Sequence, residues 1–265
     1  MLKDIALGQF FPGSSPLHRM DPRSKLLSLV LFIVTIFVCD GAAAFVLCGL
    51  GLMAIIRLSG IPPKMIAKSL KPIVILVIFT GLLNLFYTPG REIFRLWIFS
   101  VTWEGLATAA VMIARILLLV SSTALLTYTT SPMALTDGLE RLLSPLKRMH
   151  IPVHEFAMMM SIALRFIPTL IEETDKIMSA QKARGADFES GNLLQRAKAL
   201  VPVLVPLFVS AFRRADELAC AMECRLYSGG KRTRLHSLAY SRVDALGGGL
   251  AVLACGAAIA LNILL

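Results

Sequence analysis

Five long runs of apolar residues set the pattern of this chain. They cover residues 26–39, 41–56, 65–87, 105–128 and 245–265. A helix needs about 20 apolar residues to cross a bilayer. The first two runs are shorter, so either flanking residues contribute to those helices or the helices are short or tilted. The pattern predicts an all-α integral membrane protein with about five transmembrane helices.

A more polar pattern with helical periodicity fills residues 129–239, between the fourth and fifth runs. It predicts a short helix that begins at Ser131-Pro132 and ends near Met149. A long helix follows from Pro152, because proline is tolerated in a first turn. Gly185 fits just past the end of this second helix as a cap.

A third helix is predicted from about Leu193 to Tyr227, where Gly229-Gly230 stop it. Three prolines inside the long helices, Pro168, Pro202 and Pro206, predict kinks or local breaks. The apolar stretch 201–212 resembles a partial span. At about 12 residues it is short of a spanning helix, and we expect the third helix to lie at the membrane interface.

These patterns divide the chain into three parts. Residues 1–128 hold the N-terminal segment and transmembrane helices 1–4. Residues 129–239 form an inserted domain of long helices, and residues 240–265 form the last transmembrane helix.

The basic residues predict the orientation of the chain, because loops rich in Lys and Arg stay in the cytoplasm. The N-terminal segment and the loop after the second run are basic, and the next loop balances its arginines with acids. The chain is therefore expected to be a multi-pass protein of the cell membrane, with its N-terminus and residues 129–239 in the cytoplasm and its C-terminus outside. Trp97 and Trp103 fall in the predicted outer loop. The basic residues are Lys3, Arg19, Arg23, Lys25, Arg57, Lys64, Lys68 and Lys71.

Composition agrees with residence in a membrane. The chain of 265 residues is 56% hydrophobic and 17% charged, with a net charge of +10. Soluble domains are nearer one quarter charged. Nucleic-acid binding is disfavoured, because the aromatic residues lie in the apolar runs and not among the basic ones.

Motifs that carry chemistry are missing. No phosphate-binding loop of the Walker type occurs, and His154-Glu155 lacks the second histidine of a zinc-protease motif, since position 158 is Met. The adjacent Glu172 and Glu173 point to different faces, which a solvated surface explains. We therefore expect no catalytic residue, no metal site and no enzyme.

Two further sets of residues leave alternatives open. Arg115 lies within the fourth run, where it either snorkels or packs against a carbonyl inside the bundle, or else serves a substrate. The five cysteines are read as small hydrophobes, because a disulfide framework or a zinc site is not indicated by their spacing. They are Cys39, Cys48, Cys220, Cys224 and Cys255.

Both long helices of the inserted domain end near an arginine, in "QKARGAD" and "MECRLYSGG". Arg184 or Arg225 taken singly is explained by the helix dipole, which favours a cation at a C-terminus by about 0.3–1 kcal/mol. Taken as a pair beside a membrane domain, they suggest docking to a partner, because the arginine fork binds carboxylates and carbonyls.

Four stretches together resemble one family, the transmembrane T component (EcfT/CbiQ-like) of energy-coupling factor (ECF) transporters. The resemblance covers most of the chain, and the combination of stretches is specific. They are "PGSSPLHRMDPRSKLL" (12–27), "LSPLKRMHIPVHEFAMMMSIALRFIPTLIEE" (143–173), "AQKARGAD" (180–187) and "AFRRADELACAMECRLYSGGKRTR" (211–234).

The resemblance implies a coupling subunit of an ATP-driven vitamin or metal importer. Such a subunit links two cytosolic ABC-type ATPases to a small hydrophobic substrate-binding (S) membrane subunit. It binds no cofactor directly, and the ATP is used by the partner ATPases. Residues 129–239 are then the coupling-helix domain. By position, Ala183, Arg184, Gly185 and Arg225 would dock the ATPases.

The second docking site departs from the family pattern, because Leu226 stands where glycine is usual. Leucine does not relax to positive φ as glycine does, which leaves the local backbone geometry open. The arginine is kept, so docking is expected to survive, and asymmetry between two different ATPases is the other explanation of the departure. The apolar surface that contacts the substrate-binding subunit is expected to include Met158, Met159, Met160, Leu204 and Phe208; static core packing is the alternative for these side chains.

Other functions remain as alternatives at this stage. A conventional ABC permease usually couples through one short loop helix, whereas this chain offers two long ones. An autonomous secondary transporter would need a polar pathway, for which Arg115 is the one candidate. A membrane-embedded enzyme would need a nucleophile, a metal cluster or paired acids, and none converges in the sequence.

Overall fold

A computed structural model describes residues 10–89, 91–96, 99–149, 152–188, 190, 192–228 and 239–264. Lys3, Trp97, Gly229 and Gly230, named above, lie outside the described residues. The α-helices are α1 (Pro16–Arg19), α2 (Pro22–Val38), α3 (Ala42–Ser59), α4 (Pro63–Leu70), α5 (Val74–Tyr87), α6 (Trp103–Thr129), α7 (Pro132–Leu142), α8 (Val153–Ala183), α9 (Leu193–Glu223) and α10 (Arg242–Leu264).

Two units make up the chain. One lies within Leu143–Ser237 and contains α8 and α9. The other lies within Gly8–Leu142 and Leu238–Leu265 and contains the remaining helices. We call them the coupling-helix unit and the membrane unit.

The structure confirms the all-α class of membrane protein. In the described part, six helical segments are long and apolar enough to cross a bilayer, by length and composition. They are Ala42–Ser59, Pro63–Tyr87, Trp103–Thr129, Val153–Ala183, Leu194–Glu223 and Arg242–Leu264. Helix α2, at 17 residues, spans roughly 26 Å at 1.5 Å per residue.

Two of these segments change the expectation for the coupling helices. The sequence pattern predicts that residues 201–212 are too short to span a membrane. That prediction is wrong on length, because α8 and α9 are each 31 residues of continuous helix. Pro168, Pro202 and Pro206 lie inside these helices without a local break in either.

Several boundaries differ from the sequence pattern for local reasons. The helix expected to end near Met149 is divided into α7 and a 3₁₀ helix, Ser144–Met149. Helix α9 ends at Glu223, four residues before the expected Tyr227. Pro72 lies in a 3₁₀ turn, Lys71–Ile73, between α4 and α5, because proline cannot donate the helical hydrogen bond.

The loop between α5 and α6 contains a small antiparallel hairpin that the sequence analysis missed. Strand β1 (Glu92–Leu96) pairs with β2 (Phe99–Thr102), with an irregularity in register between Glu92 and Phe94. The strands are too short to stand out among the long apolar runs. Trp103 follows as the first residue of α6.

The membrane unit is organised around α6 and α10. Helix α6 packs against α2, α3, α4 and α5, and α10 packs against α2 and α3. One core cluster joins α3, α4 and α6 through Leu52, Ile66 and Leu125. A second joins α3 and α10 through Cys48 and Ala258. Many large apolar side chains on the outer faces of these helices are exposed, as lipid contact requires.

Arg115 of α6 holds the turn between α2 and α3. Its guanidinium donates to Asp40 Oδ1 at 2.9 Å and to the Cys39 carbonyl at 3.1 Å. It also lies over the rings of Phe37 and Phe45, at 5.7 and 5.6 Å from their centroids. These contacts favour the structural alternative for Arg115, in which it packs against a carbonyl inside the bundle.

The same turn is also tied to α10. Asn262 Oδ1 accepts hydrogen bonds from the backbone nitrogens of Asp40 and Gly41, at 3.0 and 2.7 Å. Together with Arg115, it fixes one end of α2 and α3 against two other helices.

A buried polar cluster ties the opposite end of α2. Lys25 is 7% exposed, and its ammonium donates to the Thr129 carbonyl at 2.9 Å and to Thr130 Oγ1 at 3.1 Å. A charge is rarely buried without such partners. The contacts join the start of α2 to the end of α6.

Asp244, in the first turn of α10, completes this cluster. Its carboxylate accepts hydrogen bonds from the backbone nitrogens of Asp21 and Ser241 and from the Ser241 hydroxyl. Asp21 is in turn the N-cap of α2 and accepts from the Arg23 nitrogen at 2.9 Å. The "PGSSPLHRMDPRSKLL" stretch therefore supplies a junction between α2, α6 and α10.

Asp244→Ala is expected to destabilise the membrane unit by about 2–3 kcal/mol, because it leaves two backbone N–H groups without acceptors. Thermal unfolding in detergent measures this effect. Asp244→Asn is the matched control: it keeps one carbonyl oxygen as an acceptor and should cost less. Equal melting of both variants and the parent protein would contradict this role for Asp244.

Candidate functional site: the C-terminal ends of the two long helices

The end of α8 is closed by two backbone hydrogen bonds. The Gly185 nitrogen donates to the Lys182 carbonyl at 3.0 Å, and the Ala186 nitrogen donates to the Gln181 carbonyl at 3.0 Å. Gly185 has φ +88°. This is a Schellman motif, which satisfies carbonyls that have no partner within the helix. The predicted cap at Gly185 is confirmed.

The end of α9 has the same backbone pattern. The Leu226 nitrogen donates to the Glu223 carbonyl at 2.8 Å, and the Tyr227 nitrogen donates to the Met222 carbonyl at 3.0 Å. Each of these four residues lies 41 positions after its counterpart in α8. Arg184 and Arg225 precede the capping residue in the same way.

Leu226 adopts a φ of +58°, and it is the one non-glycine residue with positive φ in the part of the chain that is described. The expectation that leucine would not reach this conformation is wrong. The two hydrogen bonds of the motif require it, so the backbone of the two ends is the same despite the departure from Ala-Arg-Gly.

This conformation costs roughly 1–2 kcal/mol for a residue that carries a Cβ. The Leu226 side chain is 90% exposed, so burial within the unit does not offset that cost. A leucine with positive φ is therefore a strained residue on an open surface, of the kind found at functional sites.

The predicted docking residues are all on the surface of the coupling-helix unit. Ala183, Arg184 and Gly185 are exposed at one helix end, and Arg225 is exposed at the other. Among the described residues, neither guanidinium has an ion-pair partner. Both arginines follow a helix C-terminus, where the dipole favours their charge, and both remain available to a carboxylate or carbonyl of another protein.

The two long helices are joined by a polar contact that the sequence analysis missed. Glu173 of α8 accepts a hydrogen bond from the hydroxyl of Ser210 in α9. It also forms an ion pair with Arg214 of α9, whose Nη2 lies 2.9 Å from Glu173 Oε2. The Arg214 guanidinium also lies 6.0 Å from the Phe166 ring centroid. The Glu173 and Arg214 side chains are 24% and 30% exposed. The solvated-face interpretation fits Glu172, which is exposed, but is wrong for Glu173.

The predicted coupling surface is divided between α8 and α9. Met159 and Met160 are about half exposed, as is Leu204, Phe208 is 61% exposed, and Met158 is partly buried. Static core packing therefore does not describe most of this set. The exposed apolar side chains continue along α9, and an apolar area of this kind marks contact with lipid or another protein. They include Leu200, Val201, Val205, Val209 and Phe212.

The cysteines occupy two environments. Cys39, Cys48 and Cys255 are buried in the membrane unit, as expected of small hydrophobes. Cys220 and Cys224 are also free, and they lie exposed near the end of α9. The described residues contain no group of His, Cys, Asp or Glu side chains able to hold a metal ion.

Comparison with known proteins identifies the family. The model of the CbiQ family, described as cobalt transport protein, matches residues 13–236. The chain belongs to the CbiQ family. The resemblance to T components of ECF transporters is also confirmed by curated relatives.

Three curated relatives share about half of their residues with this chain along nearly its whole length. The protein named energy-coupling factor transporter transmembrane protein EcfT from Heliobacterium modesticaldum is 55% identical to this chain, and the alignment covers 92% of both proteins. The protein of that name is 50% identical in Ruminiclostridium cellulolyticum, covering 95% of both chains. In Bacillus subtilis it is 48% identical, covering 92% of this chain and 93% of the relative.

Gly185→Ala and Leu226→Gly are expected to change the stability of the two helix ends in opposite directions. Alanine at positive φ strains the α8 end, whereas glycine relieves the strain of leucine at the α9 end. Hydrogen exchange of the Ala186 and Tyr227 amides measures this directly. A change of about 1 kcal/mol corresponds to roughly a fivefold change in exchange rate. Exchange that quickens in both variants would contradict the shared geometry.

Proposed function

We propose that this chain is the transmembrane coupling subunit of an ATP-driven ECF-type importer for a vitamin or a metal ion. In this role it links two cytosolic ABC-type ATPases to a small hydrophobic substrate-binding membrane subunit. The observation that supports this most directly is the pair of matched helix ends. Each presents an exposed arginine in the same backbone setting, which suits docking to two partners of related fold.

Arg184 and Arg225 are proposed to bind one ATPase each. Each arginine is exposed at a helix end whose last carbonyls are already satisfied by a Schellman motif. The planar guanidinium can then form paired hydrogen bonds with carboxylates or carbonyls in a groove of the partner. Ala183 and Gly185 leave the surroundings of Arg184 free of large side chains, so the helix end can approach a groove closely.

The exposed apolar side chains of α8 and α9 are proposed to contact the substrate-binding subunit. Methionine side chains adapt to partners of different shape because they are flexible and unbranched. Met158, Met159, Met160, Leu204 and Phe208 would transmit movement of the helix ends to that subunit.

ATP chemistry belongs to the partners in this proposal. The chain itself would bind no cofactor and carry out no catalytic step. Its contribution is mechanical: closure of the ATPases moves the ends of α8 and α9, and the helices carry the movement to the membrane. The transported substrate is held by the substrate-binding subunit.

The orientation that suits this function has the N-terminus and residues 129–239 in the cytoplasm and the C-terminus outside, within the cell membrane. Both arginine ends must then face the cytosol. If α8 and α9 each crossed the bilayer, their C-terminal ends would lie on opposite sides, and Arg184 and Arg225 could not both reach cytosolic partners.

A secondary transporter is less well supported. Its one candidate for a substrate site was Arg115, and that guanidinium is engaged by Asp40 and the Cys39 carbonyl. A conventional ABC permease is disfavoured because the chain offers two long coupling helices.

Arg184→Ala and Arg225→Ala are each expected to weaken ATPase docking and abolish uptake, because each removes the fork that binds the partner. Co-purification of the ATPases and uptake in reconstituted vesicles measure the two effects. Arg196→Ala, which removes an exposed arginine at the opposite end of α9, is the matched control and should behave as the parent protein. Normal docking and transport by both single variants would refute the assignment.

Glu173→Arg and Arg214→Glu are each expected to uncouple transport, so that less substrate is taken up for each ATP hydrolysed. The reason is that two like charges then meet where α8 and α9 contact. The double variant Glu173→Arg/Arg214→Glu restores an ion pair and should recover uptake in part. The ratio of substrate transported to ATP hydrolysed is the measurement. Glu172→Arg changes the exposed neighbour and serves as the control. A double variant no better than the worse single variant would argue against a direct pairing.

A further inference from the structure

The two docking ends have the same backbone but different surfaces. At the α8 end, the residue after the arginine is Gly185, which presents no side chain. At the α9 end, the equivalent residue is Leu226, whose side chain is 90% exposed. The α8 end is therefore an arginine followed by exposed backbone, and the α9 end is an arginine followed by an exposed apolar side chain.

Strain at Leu226 makes this difference informative. Glycine or asparagine would satisfy the same hydrogen bonds at positive φ with little strain. Leucine there strains the backbone and gains no burial within the unit. A bulky residue held in such a conformation is expected where its side chain contributes to an interaction outside the chain.

We propose that Leu226 is an apolar anchor that decides which ATPase docks at the end of α9. This inference rests on the proposed function. The partner at α9 would carry an apolar pocket beside the groove that receives Arg225. The partner at α8 would approach the bare backbone of Gly185 closely and have no room for a side chain there. Each end thereby accepts one ATPase and disfavours the other. The α9 end selects its partner by apolar attraction to Leu226, and the α8 end selects its partner by the absence of a side chain at Gly185, where the other ATPase would fit poorly.

The polar part of the two sites does not supply this discrimination. Both ends present one arginine after the same hydrogen-bonded turn, so the charge and the direction of the main chain are shared. The residues directly before the arginine, Ala183 and Cys224, are both small, whereas the residues directly after it differ most in size, with no side chain at Gly185 and leucine at position 226. Burial of one leucine in a fitting pocket is sufficient for a preference of roughly tenfold or more.

Site-specific photo-crosslinking on the full chain tests the inference. A photoreactive residue is placed at Ser179 or at Cys220, which are exposed and lie five residues before Arg184 and Arg225. The complete complex is assembled with both ATPases in equal amounts, irradiated, and analysed by mass spectrometry. The expected result is a different ATPase at each position.

Four variants separate the anchor from the backbone. Leu226→Gly and Leu226→Asn both keep the positive φ and remove the apolar side chain, and both should reduce the preference at Cys220 from about tenfold to about twofold or less. Leu226→Met keeps an apolar side chain and should retain the preference. The exchanged variant, Gly185→Leu with Leu226→Gly, should favour the reversed arrangement.

An unchanged preference in Leu226→Gly and Leu226→Asn would overturn the inference, as would equal labelling of one ATPase at both positions in the parent protein. The absence of any ATPase crosslink at either position would instead count against the proposed function itself. The far-ultraviolet circular dichroism of each variant should match that of the parent protein, since the changes lie past the helix ends.

Discussion

The carbonyl groups in the last turn of a helix have no donors within that helix, and this constraint determines the form of the C-terminal ends of α8 and α9. Helices α8 and α9 satisfy it with the same two hydrogen bonds, which require one residue at positive φ. The arginine before that residue then takes the same position at each end. The capping residue is glycine in α8 and leucine in α9, and the backbone conformation is the same at both ends. The docking hypothesis depends on this repetition more than on either arginine alone.

The membrane unit has polar ties at both ends of α2. Lys25 and Asp244 connect it to α6 and α10 at one end, and Arg115 and Asn262 connect the following turn to the same two helices at the other. Apolar helices in a lipid environment gain little from the hydrophobic effect when they pack together. Hydrogen bonds to main-chain atoms therefore define the arrangement of these helices, while their outer faces remain apolar.

Much of this could be predicted from the sequence because long apolar runs and paired motifs are strong signals. The helices, the cap at Gly185 and the two arginine ends were all predictable. The contact of Glu173 with Arg214 could not be predicted, because the two residues are distant in sequence and a single sequence does not show which residues meet. Residue preference alone predicts a negative φ for Leu226, and the two hydrogen bonds that override this preference appear only in the structure. The hairpin between α5 and α6 was missed because its strands are short.

The contact between Glu173 and Arg214 has a mechanical consequence. Each of the two residues lies 11 positions before the arginine at its own helix end, which is about 16 Å along the axis. Sliding one helix along the other by a turn, roughly 5.4 Å, would pull the charges apart, whereas rotation about the contact would keep them paired. In the proposed function the pair would lie at a pivot between two arms of equal length, so that equal displacements of the two arginine ends would turn the helices by equal angles. The longer arms, on the far side of the contact, would move through a greater distance than the arginine ends.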